Sequence, residues 1–213
     1  MKAHQKVAIV TGAGQGIGFE ICRQLAAAGT AVILNDMDVT LAEKAAAAIT
    51  AESGRCTAVP GDASDIRFIR HLTDTAVNTY GGLDIVIANA GITLFGDFFT
   101  YSPEDFSRVM QVNLAGSFFL AQAAANYMKQ HGGGAILFTS SVTGHQAHKD
   151  LAAYGMSKAA LEMLAKTLVI DLSPFGITVN AIAPGATLTE RTLSDPDYAN
   201  TWSKLTHMGR PAH

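Results

Sequence analysis

The chain has 213 residues, of which 48% are hydrophobic and 15% charged, with 15 Lys and Arg against 18 Asp and Glu and a formal net charge of −3. That composition excludes a disordered chain, and the slightly acidic balance excludes nucleic acid as the main partner. No apolar run is long enough for a membrane span, and the N-terminal stretch reaches a glycine turn too soon for a signal peptide, so no membrane partner is expected.

In chain order, short apolar runs alternate with longer helical patterns. Strands are expected at residues 6–11 (KVAIVT), 31–35 (AVILN), 55–60, 83–89 (LDIVIAN), 135–141 (AILFTSS) and 177–183 (ITVNAIA). Helices are expected at 16–28, 39–52, 64–79, 103–110, 115–130 and 152–172. This alternation predicts right-handed crossovers and an α/β fold, a doubly wound parallel sheet with helices on both faces. Several strands are apolar almost throughout, as coverage of both faces requires. No repeat, charge run or linker breaks the chain, so residues 1–213 read as a single domain. Cys22 and Cys56 form no disulfide framework and sit in apolar segments. Small buried residues in a reducing, cytoplasmic setting are the expected reading.

The run Thr11-Gly-Ala-Gly-Gln-Gly-Ile-Gly18 follows the first strand and opens the first helix. Gly12 permits a sharp turn, Gly16 lets backbone approach a pyrophosphate, and Gly18 permits close helix packing. Unpaired N–H groups at the helix start would meet that pyrophosphate. The spacing departs from G-x-G-x-x-G, and a mere turn is the alternative. Asp36 ends the second strand, where a carboxylate accepts from a ribose 2′-hydroxyl and repels a 2′-phosphate. No Arg or Lys lies between Val32 and Leu41, so NAD is favoured over NADP. The alternative for Asp36 is a helix cap, for which Asp38 is the better candidate. Asp62 could bond an adenine amino group or cap the helix starting near Ser64.

Four motifs in order then complete a pattern: the Thr11–Gly18 turn, Asn89-Ala-Gly91, Tyr154-Gly-Met-Ser-Lys158 and Pro184-Gly185. Ser141 stands 13 residues before Tyr154, and Asn113 sits within Val112-Asn-Leu-Ala-Gly116. Over essentially its whole length the chain resembles the short-chain dehydrogenase/reductase family, which implies a Rossmann-type fold, an NAD cofactor and a small-molecule alcohol or ketone substrate. The resemblance implies catalytic roles for Asn113, Ser141, Tyr154 and Lys158. It implies cofactor contacts from Gly12, Gln15, Gly16, Ile17, Gly18, Asp36, Met37, Asp62, Ala63, Asn89, Ala90, Gly91, Tyr154, Lys158, Pro184, Gly185, Thr187 and Thr189. Lys158 would bond the nicotinamide ribose, Thr189 the carboxamide, and Asn113 a water linking Lys158 to solvent. Two positions depart from the family: Thr187, usually a branched apolar residue, and Ala88, usually Asn.

The chemistry is arguable without the resemblance. Tyr154 and Lys158 are i and i+4 and so share a helix face. A free phenol, with a pKa of about 10, is a poor acid–base group near neutrality, and an adjacent ammonium favours the phenolate. Ser141, at a strand end, could hold the substrate oxygen while Tyr154 moves the proton. Alone, such a pair is usually a packing pair, Ser141 a turn residue and Asn89 a turn former. Substrate candidates are Thr93, Phe95, Thr143, Gln146, His148 and Ala186, with a lid at about 186–208. Trp202 is a substrate wall or the lid's packing anchor. The polar loop favours a sugar, polyol or hydroxy acid. His145 and His148 lack an accompanying Cys or carboxylate cluster, so no metal is expected. The alternatives are a 3-oxoacyl thioester reductase, which would prefer a basic residue near position 36, and a non-catalytic NAD-binding truncated paralogue. The family has a further helix and strand beyond the segment corresponding to Gly209–His213, so residues 177–183 are expected to form an apolar edge strand. Its members pair the helices near 115–130 and 152–172, so a homo-oligomer, a dimer or tetramer, is expected.

Overall fold

In the computed structural model, which describes residues 5–212, the apolar runs become six strands of one parallel sheet. They are β1 (Val7–Val10), β2 (Ala31–Leu34), β3 (Cys56–Ala58), β4 (Ile85–Ala88), β5 (Gly134–Thr139) and β6 (Ile177–Ile182), in the order β3-β2-β1-β4-β5-β6. Expectations that fall on Met1–His4 and on His213 lie outside the described residues. The order reverses direction between β1 and β4, which opens a crevice beyond their C-terminal ends.

Every residue of β1 and β2 is buried, because alternate side chains meet helices on opposite faces. Val10, Val32 and Leu34 pack with Cys22, Ala26, Ala42 and Ile49, from α1 (Gly16–Ala27) and α2 (Val39–Ala51). Ile9 and Ile33 pack on the other face with Ile69, Leu72, Leu120 and Leu161, from α3 (Ile66–Tyr80), α5 (Ser117–Met128) and α6 (Ala152–Leu172). The 7-residue α4 (Pro103–Val109) precedes α5. Two short helices follow β6, α7 (Glu190–Leu193) and α8 (Tyr198–Leu205).

Asp38 caps α2 through Leu41 N–H, as expected. The cap of α3 is Asp65 rather than Asp62, whose carboxylate accepts from Ser64 N–H in the preceding turn. β6 lies at the sheet edge as expected, but its faces differ: Ile177 and Val179 are buried while Thr178, Asn180 and Ile182 are exposed. The gap expected between α4 and α5 is closed by a π-helical turn, Met110–Gly116. Such a turn widens the backbone bonding by one residue, and side-chain periodicity does not announce it. Both cysteines are free, and burial pushes the Cys56 thiol up to about 12. Among the described residues, no helix is long and apolar enough to cross a membrane.

Candidate active site

The crevice is tied together from both sides of the strand-order reversal. Thr11 Oγ1, at the end of β1, accepts from the N–H groups of Asn89 and Ala90, each at 3.2 Å. In return Asn89 Nδ2 donates to the carbonyls of Thr11 at 3.0 Å and Gly12 at 2.8 Å. The sequence marks Thr11 only as the first residue of the glycine turn and gives no sign of this bonding role. Gly12 has φ +61°, and a Cβ on it would stand 2.7 Å from Ala90 Cα, so the turn admits no side chain. A Cβ on Gly18 would lie 2.5 Å from Gly12 O, so α1 packs directly on the turn.

These tight approaches leave the N-terminus of α1 facing the crevice, with Gln15 at its cap and Gly16, Ile17 and Gly18 in its first turn. Asp36 lies beside it: Oδ2 accepts from Gly14 N–H at 2.9 Å and Oδ1 from Asp38 N–H at 3.1 Å. Met37 is exposed next to it, and Asp62 and Ala63 follow β3 at the same end of the sheet. The glycine turn, with Asp36 at its flank, has the form of a dinucleotide cradle.

On the other side of the crevice, the proton-handling candidates converge on the start of α6. Lys158 is buried, and its Nζ donates to Thr139 O at 2.7 Å. The same Nζ stands 5.6 Å from the centroid of the Tyr154 ring, one turn earlier. A Cβ on Gly91 would come within 3.3 Å of it. Burial, reinforced by the Arg191 guanidinium, lowers the Lys158 ammonium from 10.5 to about 8. Burial thus brings the ammonium closer to releasing its proton than an exposed lysine, while leaving it the charged form at neutral pH.

Asn113 sits fully buried in the π turn. Its Oδ1 accepts from Ile92 N–H at 2.8 Å, and its Nδ2 donates to Ile92 O at 3.0 Å and Ser157 Oγ at 3.1 Å. Ser157 in turn donates to Tyr154 O at 2.7 Å. The asparagine side chain thus clamps the loop after β4 to the helix that carries Tyr154 and Lys158. Ser157, Thr139 and Ser140 were not identified from sequence. Ser140 Oγ lies 3.0 Å from Lys158 O and 2.8 Å from Glu162 Oε1. Ser141 is buried at the end of β5, and its Oγ accepts from Thr143 N–H at 3.3 Å, which leaves its proton free to donate.

The segment after β6 folds back over the glycine turn. Thr187 pairs with Ala212, and Pro184 O accepts from Val142 N–H at 3.1 Å. Gly185 O accepts from Thr187 Oγ1 at 3.2 Å. Thr189 is spent on a capping box with Thr192, with its methyl group 3.2 Å from the position of a Cβ on Gly16. Glu190 Oε2 accepts from Gly16 N–H at 3.0 Å, so a carboxylate occupies a donor of the helix start. His145 turns outward to Glu162, at 3.2 Å, and among the described residues no cluster of three metal-ligating side chains forms.

A cleft of about 480 Å³ is lined by Phe98, Phe99, Thr143, His148, Leu151 and Gly155 among others, and Gly155 is next in sequence to Tyr154. Trp202 lies over His148 with ring centroids 5.2 Å apart, so it anchors α8 to the cleft wall. Thr93 and Phe95 lie in the loop leading to it, with Phe95 exposed.

A model of the short chain dehydrogenase family matches residues 6–197. A trihydroxynaphthalene reductase of Pestalotiopsis fici is 35% identical over 97% of this chain and 79% of its own length. A versicolorin reductase of Emericella nidulans is 40% identical over 89% of this chain and 72% of its own. Among solved structures, a short-chain type dehydrogenase/reductase from Mycobacterium marinum superposes with a TM-score of 0.92 at 32% identity, covering 97% of this chain and 83% of that one.

Proposed function

The chain belongs to the short-chain dehydrogenase family, and on that premise we propose that it interconverts a secondary alcohol and its ketone with NAD(H), using Tyr154 as the acid and base. The observation that carries this reading is the buried Lys158, held between Thr139 O and the Tyr154 ring at the mouth of the crevice. A buried lysine costs stability, and a proton-transfer role at that position accounts for its being kept.

The glycine turn from Gly12 to Gly18, with Gln15, Gly16 and Ile17, would hold the pyrophosphate. Asp36 and Met37 would hold the adenosine ribose, and Asp62 and Ala63 would border the adenine. Asn89, Ala90, Gly91, Pro184, Gly185, Thr187 and Thr189 would border the nicotinamide half. Asp36 keeps lone pairs for ribose hydroxyls beyond its two backbone bonds, and its charge disfavours a 2′-phosphate. When bound, the nicotinamide supplies the hydride in reduction and takes it up in oxidation.

In reduction, Ser141 Oγ donates to the ketone oxygen and holds it, while Tyr154 gives that oxygen its proton as charge develops there. Oxidation runs the same transfers backwards. Lys158, its pKa lowered by burial to about 8, stabilises the negative charge left on the Tyr154 oxygen and helps restore its proton. Asn113 keeps the loop and helix in register for that exchange.

The polar loop after Ser141 suits a sugar or polyol, but His145 is drawn away to Glu162 and the cleft wall carries Phe98 and Phe99. With the two named fungal reductases as guides, a cyclic ketone on an aromatic framework is the favoured substrate class. The two free cysteines fit a reducing cytoplasm. An apolar groove between the π turn, α5 and α6, lined by Met110, Leu114, Phe118 and Met163, fits a second copy of the chain in a dimer or tetramer.

The test is NADH consumption with a panel of ring ketones, sugars, polyol-derived ketones and keto acids. Wild type should turn over at least one class, and Tyr154→Phe should bind NADH and lose turnover by a factor of about 100 or more. Bound NAD with no turnover on any class would replace this reading with that of a non-catalytic nucleotide-binding protein.

A further inference from the structure

Glu162 stands on α6 one turn after Lys158 and two after Tyr154, so the three share a helix face. The proton transfers described above make no use of it. Its side chain is 24% exposed, and a carboxylate withdrawn that far from water is kept only with hydrogen-bond partners. Those partners flank Ser141. Ser140 Oγ, just past β5, donates to Glu162 Oε1 at 2.8 Å, and His145 Nδ1 stands 3.2 Å from the same oxygen. Lys158 O, 3.0 Å from the Ser140 hydroxyl, is the weaker acceptor of the two because it carries no charge. Ser140 is 3% exposed, so its hydroxyl is committed to these partners.

Between those two contacts the chain rests on the helix. A Cβ on Gly144 would lie 2.8 Å from Glu162 Oε1 and 3.1 Å from Ala159 N. One carboxylate oxygen is thus wedged against residues 140, 144 and 145, on both sides of Ser141.

The backbone bonds of this turn run elsewhere. Ser140 N–H donates to Ile182 O at 2.7 Å and Val142 N–H to Pro184 O at 3.1 Å, both toward β6 and its exit. Gly144 N–H donates to Ser141 O at 2.9 Å, within the turn. These bonds set Ser141 against β6, whereas the reaction needs it set against α6, which carries Tyr154 and Lys158. Lys158 Nζ reaches only the near side, at Thr139 O. Glu162 reaches both sides.

We propose that Glu162 is a positioning residue: through Ser140 and the turn up to His145 it fixes the Ser141 hydroxyl relative to Tyr154, so that both hydroxyls meet one ketone oxygen. Misplacing a reacting group by about 1 Å costs on the order of a hundredfold in rate, so the clamp acts on the chemical step. The inference rests on the ketone-reduction reading above and adds to it the part that holds its two oxygen-binding groups in register.

The experiment measures reduction of 2-tetralone, or of the ketone in the panel above that wild type reduces best, by the NADH-saturated enzyme. Glu162→Ala should lower kcat by about 10- to 100-fold, with KM for NADH within about twofold of wild type. Ser140→Ala cuts the same bond from its other end and should give a loss of that order, and the double variant should be no worse than the more damaging single one. Should Glu162→Ala not fold, Ser140→Ala carries the same comparisons. Glu162→Gln keeps an acceptor oxygen in place and should hold kcat within about fivefold of wild type. In a Ser141→Ala background, Glu162→Ala should cost less than about twofold further, because its effect passes through Ser141. A general weakening of the helix would lose the same factor in both backgrounds; that result, or an unchanged kcat in folded Glu162→Ala, overturns the proposal. Hydrogen exchange of the NAD-loaded protein reads the clamp without turnover: the amides of Gly144 and Gln146 should exchange about tenfold faster in Glu162→Ala and Ser140→Ala, with those of β1 and β2 unchanged. If no ketone is reduced and these amides still exchange faster, the ketone reading falls and the clamp stands. If ketones are reduced and neither kcat nor exchange moves, the clamp falls.

Discussion

Replacing Lys158 with methionine should make the unliganded chain more stable at neutral pH while removing its chemistry. The side chain is 3% exposed, and burial lowers its pKa from 10.5 to about 8. A shift of that size disfavours the folded, charged form by about 3 kcal/mol. Below pH 8 the lysine is charged in both folded and unfolded chains, so this cost is present in full. Between 8 and 10.5 the folded chain has released the proton while the unfolded chain keeps it, and the cost shrinks; above 10.5 it vanishes. Methionine fills similar space but gives up the bond to Thr139 O, a loss of about 1 kcal/mol. The net gain of about 2 kcal/mol corresponds to a rise in Tm of roughly 4–8 °C at pH 7 for a chain of this size. At pH 10.5 the sign should reverse, with the variant slightly less stable. Thermal unfolding of wild type and Lys158→Met at both pH values, without cofactor, reads this directly. A variant that melts below wild type at pH 7, or a difference that ignores pH, would refute the argument that burying the charge is costly. In residual activity the same variant should need a higher pH for fast alcohol oxidation; an unmoved pH profile would count against Lys158 acting on Tyr154.

Asp36→Ala should weaken NAD binding by about tenfold or more, the worth of bonds to a charged acceptor, and narrow the preference over NADP; an unchanged ratio in fluorescence titrations would show that Asp36 does not read the ribose. Gly12→Ala should lower Tm by roughly 5–15 °C, because a left-handed backbone and a clash with main-chain atoms of Ala90 together cost about 2–4 kcal/mol, and a melt within a degree of wild type would contradict the closeness of that approach. Glu190→Ala frees the N–H of Gly16 for a phosphate and should tighten NADH about two- to fivefold in the same titration, whereas weaker binding would show that the carboxylate does not compete for that donor.

The buried strands were legible because runs such as VAIV and AVIL have no polar face to offer solvent, and the Gly, Pro and Asp residues between helices and strands mark the turns. The candidate site was legible where its chemistry needs rare residue types at fixed spacing, as with Tyr154 and Lys158. It was illegible where common residues act through position alone. Thr11 and Ser157 look like any hydroxyl residue until the sheet reversal and the π turn bring them to Asn89 and Asn113. The π turn left no mark because its neighbours are ordinary helix formers. Asp62 and Asp65 are both good caps, and only the path of the chain after β3 decides between them. The depressed pKa of Lys158 depends on how deeply the helix sinks, which spacing does not reveal.

The short pairing of residues 186–188 with Ala212 has a practical consequence. Leu188 N–H donates to Ala212 O and Ala212 N–H to Ala186 O, each at 2.8 Å. Pulling on one strand of such a ladder moves the other, so a dye attached at Leu188 would sense any displacement of Ala212, and a change at Ala212 would be felt on either side of Thr187.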